Sequence, residues 1–220
     1  MRQVGLPAAS SKLIIMKHFT LLLLTVLLVL TTSCKYLLIK SEGIRQPKIE
    51  NYESLSKFLL SKGIDTSEIL CFKDTLALNI YYRNDFKIPD ALFFNREKKF
   101  VDYRTSVTDC NGMVSVFIGN IDSINLKEPI EEKILDSYLN NLVLEKTGQK
   151  FMLENQRYDA YMVVYWAKYL GKVNKRKVYD WQELAKKANQ NGKKIRMILV
   201  SVDYQEFWGI NKNQLPKFDF

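Results

Sequence analysis

The sequence predicts an α/β fold in which helices flank a central mixed sheet. Three observations carry this. Tyr161 to Ala167 is a continuous apolar stretch, and Ile195 to Val202 is a second one rich in branched residues. Between them Val178, Trp181, Leu184, Ala185 and Ala188 recur at helical spacing, which makes a strand–helix–strand unit with parallel strands. Upstream, the apolar run that follows Ile88-Pro89 and the run Phe100-Val101-Asp102-Tyr103 flank the polar turn Arg96-Glu97-Lys98-Lys99. That pattern reads as a hairpin, the antiparallel part of the sheet.

The remaining elements follow in chain order. Leu55, Phe58 and Leu59 mark a helix over about 51–62, stopped by Gly63. Ile69-Leu70-Cys71-Phe72 reads as a short buried strand, and residues 74–83 as a helix with Asp74 at its N-cap. Pro89 stands where a strand begins, a place that tolerates a missing N–H. Thr108-Asp109 are placed to cap a helix running to about 122, with Val114, Phe117, Ile118 and Ile121 as its apolar stripe. A longer helix is expected over about 129–146. Pro129 suits its first turn, Glu131 and Glu132 suit its dipole, and Ile134, Leu135, Tyr138, Leu142 and Val143 form its inner face. Lys150 to Leu153 reads as a short strand, the last helix ends near Gly192, and residues 211–220 read as a polar tail.

The first 33 residues have a different character. Met16-Lys17-His18 is a short basic start, Phe19 to Leu30 is a Leu/Val run of about the length of a secretory core, and Thr31-Thr32-Ser33 leads into Cys34. This resembles a bacterial lipoprotein signal with Met16 as initiator. It departs from the usual pattern in having Thr31 three residues before the cysteine. The resemblance implies that residues 1–33 are removed, that Cys34 carries the lipid, and that residues 34–50 tether the protein to a membrane of the cell envelope, facing the periplasm. Removing Arg2, Lys12 and Lys17 lowers the formal charge from +9 to +6. A basic excess of that size favours an anionic membrane surface or an acidic partner. Export argues against nucleic acid.

His18 is the chain's single histidine and falls in the signal. The mature chain therefore has no Ser-His-Asp or Cys-His machinery and no histidine metal site. Its cysteines lack metal-ligand spacing, and no cofactor motif is present. With Cys34 blocked by lipid, Cys71 and Cys110 remain. They are either a disulfide or two small separate side chains, and sequence does not fix the distance that decides.

The run Trp166-Ala167-Lys168-Tyr169-Leu170-Gly171-Lys172-Val173, following Tyr161-Met162-Val163-Val164-Tyr165, resembles the active-site strand and turn of thioredoxin-like proteins of the envelope type, where Trp-Ala leads into Cys-x-x-Cys. On that frame the two cysteine positions hold Leu170 and Val173. The clearest likeness covers 148–209. It takes in Gly148 to Leu153 as an opening hairpin, and Ile198 to Asp203 with Trp208 as the next strand and loop. The family continues with an Ile-Pro strand and a hairpin. Their counterparts here are upstream, at Tyr82 to Tyr103, with Pro89 at the place of the family's cis-proline. The resemblance thus implies a single thioredoxin-like domain over 51–210 in circularly permuted or rearranged order.

A leucine and a valine form neither thiolate nor disulfide, so the first expectation is a redox-inactive, non-catalytic interaction module that binds an envelope protein or peptide near the former active-site turn. Among its residues Tyr169 and Lys172 are expected to be exposed, and Trp166 to pack inward. Lys172, Lys175, Arg176 and Lys177 make this end basic, which suits either a solvated loop or an acidic ligand. Two other readings stay open: an atypical thiol-disulfide oxidoreductase using Cys71 and Cys110, and a structural lipoprotein with no binding task here. The sequence does not indicate the oligomeric state.

Overall fold

The computed structural model describes residues 37, 39–85, 88–104, 106 and 111–218. The expected signal segment with Met16 and His18, the expected lipidation position Cys34, the expected capping pair Thr108-Asp109 and Cys110 lie outside them. Contacts divide the chain into two units, 1–42 with 219–220, and 43–218. In the first, residues 39–42 are helical. No helix among the described residues is long and apolar enough to cross a membrane. The rest of this description concerns the second unit.

Its centre is a seven-stranded mixed sheet. The strands in chain order are β2 (Leu70–Phe72), β3 (Asp90–Asn95), β4 (Lys99–Val101), β5 (Ile130–Ile134), β6 (Leu142–Leu144), β7 (Ala160–Trp166) and β8 (Ile195–Ser201). Across the sheet they run β5-β4-β3-β7-β8-β2-β6. β7 is parallel to β8, and β8 to β2. β3 lies antiparallel to β7 on its other side, with Asp90 opposite Tyr165. Two short strands, β1 (Ile49–Glu50) and β9 (Tyr204–Gln205), pair in parallel outside this sheet.

β7 explains why its sequence is continuously apolar. Ala160, Met162, Val164 and Trp166 enter the core on one face, and Tyr161, Val163 and Tyr165 enter a second core on the other. Both faces are covered, so no polar alternation is possible. The neighbouring β3 alternates in phase, with Ala91 and Phe93 on the first face and Leu92 and Phe94 on the second. Each of the valine, leucine, methionine and phenylalanine side chains among these stabilises the fold by roughly 1.5–3 kcal/mol on leaving water.

Helix α1 (Tyr52–Leu60) begins at Asn51, whose side chain accepts from Ser54 N while the Ser54 hydroxyl accepts from Asn51 N, a reciprocal cap. It buries Leu55 and Leu59 against the first face. α2 (Thr75–Asp85) is capped by Asp74, which accepts from Ala77 N at 2.7 Å. α3 (Val114–Gly119) lies between two 3₁₀ turns, 111–113 and 121–126. All four residues of the stripe expected for that region are buried. α5 (Asp180–Gln190) crosses from β7 to β8 and packs Trp181 and Ala185 inward.

The long helix expected over 129–146 is absent. Its place is taken by β5, the short helix α4 (Leu135–Leu139) and β6. Ile130 and Ile134 are four apart, which fits either period, and Leu135 and Leu142 supply inward contacts from the start of α4 and from β6 rather than from one continuous helix. β5 is an exposed edge strand held by Lys99 and Glu131 at 2.6 Å, and such charged edges are ordinary at the rim of a sheet. Lys150 makes a single bridge to Val143 rather than a strand. The expected polar tail is docked through Phe218: its ring packs on Tyr169, and its backbone exchanges two hydrogen bonds with the Gln46 side chain. The segment expected to be a tether is docked at its far end as well, where Pro47 and Glu50 are buried.

Candidate functional site

The carboxyl end of β7 gathers most of the residues singled out in the sequence. After Trp166 the chain passes through a 3₁₀ turn, Lys168–Val173, and a π turn, Lys175–Tyr179, into α5. At Gly171 the backbone has φ 56° and ψ −125°, a conformation that side-chain-bearing residues rarely adopt. Asn174 is fully buried and closes the turn. Its amide donates to Ala167 O at 2.8 Å and to Gly171 O at 3.3 Å.

Trp166 is buried as expected and stacks on Phe58 at 5.9 Å. Tyr165 is buried among Phe72 and Tyr81. Tyr169 corrects an expectation: it is only 7% exposed. Its ring packs on Phe218 and its hydroxyl pairs with that of Tyr82. The short 3₁₀ turn is the reason, since it swings this ring beneath the turn and leaves Lys172 on the outside. Leu170, Gly171 and Val173 are half-buried, and Lys172, Lys175 and Arg176 are exposed.

Under the turn lies an arrangement that sequence reasoning did not pick out. Asp203 follows β8 and is 1% exposed. One of its oxygens accepts from Lys168 N at 2.8 Å and from the Ser201 hydroxyl at 2.9 Å. Burial pushes its carboxyl up to about 7, against the lowering effect of those two donors. The Lys168 side chain reaches the other way, to Glu50 at 2.6 Å. Tyr82, Tyr169 and Tyr204 surround this point, and burial raises the pKa of each hydroxyl. The available signal was an acid placed directly after a buried apolar strand.

Pro89 comes to the same end of the sheet, because β3 starts where β7 finishes. The Ile88–Pro89 peptide is cis, and Pro89 O accepts from the Asn111 amide at 2.5 Å. Next to it Asp90 is buried, paired with Arg104 at 3.1 Å and accepting from the Tyr103 hydroxyl at 3.2 Å. Cys71 sits in β2, two strands from β7. It is a free thiol, and burial, reinforced by Glu145, raises its pKa far above the ordinary range.

The turn itself therefore carries no thiol. Asp203 has the proton affinity of a neutral-pH acid, but it is sealed from solvent. No cluster of three metal-ligating side chains occurs among the described residues. A groove of about 390 Å³ elsewhere, floored by Met197 and Leu199 and rimmed by Arg196 and Lys186, includes none of the turn's residues. In comparisons with known proteins, no family model, no curated protein and no solved structure matches the chain.

Proposed function

We propose that the chain is a lipid-anchored, thioredoxin-like envelope protein of rearranged strand order, which uses the scaffold as a non-catalytic interaction module. The observation that carries the reading is the turn itself. Trp166-Ala167 and Gly171 keep the family's frame, while Leu170 and Val173 stand at its cysteine positions. The surroundings of β7 support it. A parallel strand lies on one side and an antiparallel strand opened by Ile88-Pro89 on the other, although β3 and β4 precede the turn in this chain.

Cys71 weighs against the rival thiol oxidoreductase reading. A buried thiol with a raised pKa supplies no thiolate at neutral pH. The test combines an insulin-reduction assay with maleimide labelling and peptide mapping of the native protein. Background reduction and an unlabelled Cys71 peptide, labelled only after unfolding, are expected. Reduction above background that is lost on replacing Cys71 would overturn the proposal. The anchor is tested by Cys34→Ala, which should abolish incorporation of labelled fatty acid and release the protein from membranes. Unchanged labelling would show that Cys34 is not the attachment point.

A further inference from the structure

The lysines at the turn are poorly explained by the dipole of the helix that follows them. Lys172, Lys175, Arg176 and Lys177 occupy the last residues before α5. Cations near a helix start oppose its dipole, so local stability does not call for them there. Lys172, Lys175 and Arg176 are exposed. Two further exposed cations come to this end through contacts with one residue. Arg45 N donates to Tyr169 O at 2.9 Å, and Lys217 precedes Phe218, whose ring lies 5.7 Å from that of Tyr169. Among the described acids nearby, Glu50 is committed to Lys168, Asp203 is buried, Glu42 is half-buried, and Asp180 and Glu206 are exposed. Among the described residues, the exposed cations Arg45, Lys172, Lys175 and Lys217 thus outnumber the exposed acids around the turn.

The same contact fixes where the chain from Cys34 joins the domain. Arg45 is 11 residues beyond Cys34, a span of at most about 40 Å even when fully extended. An anchor at Cys34 therefore tethers the domain to the bilayer through this end. Basic groups near an anionic leaflet are drawn to it, and the attraction fades within a Debye length.

We infer that the basic end formed by Arg45, Lys172, Lys175 and Lys217 is a membrane-facing surface that docks onto anionic lipid headgroups and orients the anchored domain. This rests on the lipid-anchor reading above. An acyl anchor combined with a basic patch gives a firmer attachment than one chain alone, and it also sets which face points outward.

The test uses the mature chain purified from membranes and reconstituted into vesicles of phosphatidylcholine alone or with about three parts in ten of phosphatidylglycerol, an anionic content of the order that such a patch responds to. Flotation reports attachment. Amine-reactive labelling with mass spectrometry reports each lysine. The expected result is attachment to both vesicles, with labelling of Lys172, Lys175 and Lys217 reduced about fivefold in the anionic ones at low salt and restored at about 1 M salt. Lys194, exposed just before the amino end of β8, should label equally in both. The double variant Lys172→Glu, Lys175→Glu should float as well as the wild type while Lys217 loses its protection. Flotation with equal labelling in both vesicles would overturn the inference and leave the anchor reading standing. Flotation with neither would overturn both. Protection by added polyglutamate but by neither vesicle would overturn it in favour of an acidic protein partner.

Discussion

Tyr169 and Lys172 stand three residues apart in one turn and meet opposite surroundings. The tyrosine ring is enclosed by Phe218 and its hydroxyl pairs with Tyr82, whereas the lysine is exposed and carries charge into solvent. The sequence expectation treated them alike, as outward members of a recognition surface. Their substitutions should therefore separate. Tyr169→Ala removes a buried ring, so a loss of about 3 kcal/mol is expected in urea unfolding. Lys172→Glu should stay within about 0.5 kcal/mol of the wild type. Equal midpoints for the two variants would contradict the burial of Tyr169. Any binding assay that uses Tyr169→Ala would confound folding with recognition, which makes the lysines the better probes of this end.

At the scale of elements, the turn between β7 and α5 depends on one glycine and one asparagine. Gly171 holds φ 56° and ψ −125°, and Asn174 ties both sides of the kink to its amide. Gly171→Ala should cost about 1–3 kcal/mol, because a Cβ disfavours that backbone whatever space surrounds it. An unchanged thermal midpoint would mean that the turn relaxes into an ordinary conformation. What was legible in the sequence follows from the same local physics. β7 and β8 were legible because apolar runs bounded by turn residues leave few alternatives, α1 because Leu55, Phe58 and Leu59 recur at helical spacing before Gly63, and α2 because Asp74 marks its start. The segment 129–146 was misread because Pro129-Ile130-Glu131-Glu132 imitates a helix start. Edge pairing with β4 decided its conformation, and no local signal reports such pairing. Asp203 and Glu50 were missed for a related reason. They are 153 residues apart in the chain, and the contacts to Lys168 that bring them together belong to tertiary structure.

At the scale of the whole molecule, two buried carboxyls make stability depend on pH in a direction opposite to that of a paired surface acid. Burial pushes Asp203 up to about 7 from 3.8, and burial also pushes Glu145 up to about 7 from 4.5. In both cases the folded state holds its proton more tightly than the unfolded state. The resulting stabilisation is fully present below the unfolded values and is lost as pH rises through about 7. Asp65, whose carboxyl is lowered by Ser67, acts in the other direction, but its contribution is lost only as pH falls below its unfolded value of 3.8. Between about pH 5 and 8 the raised pair should therefore govern, and thermal midpoints should fall across that window. Asp203→Asn keeps an acceptor oxygen for Lys168 N and the Ser201 hydroxyl while removing the charge that burial penalises. It should flatten the decline and leave the part due to Glu145, which Glu145→Gln would remove in turn. Differential scanning calorimetry of the wild type and the two variants at pH 5 and pH 8 would measure this. A wild-type midpoint that rises toward pH 8, or an Asp203→Asn variant that declines as steeply as the wild type, would show that Asp203 is stabilised as a carboxylate despite its burial, with Lys168 and Ser201 outweighing the loss of water.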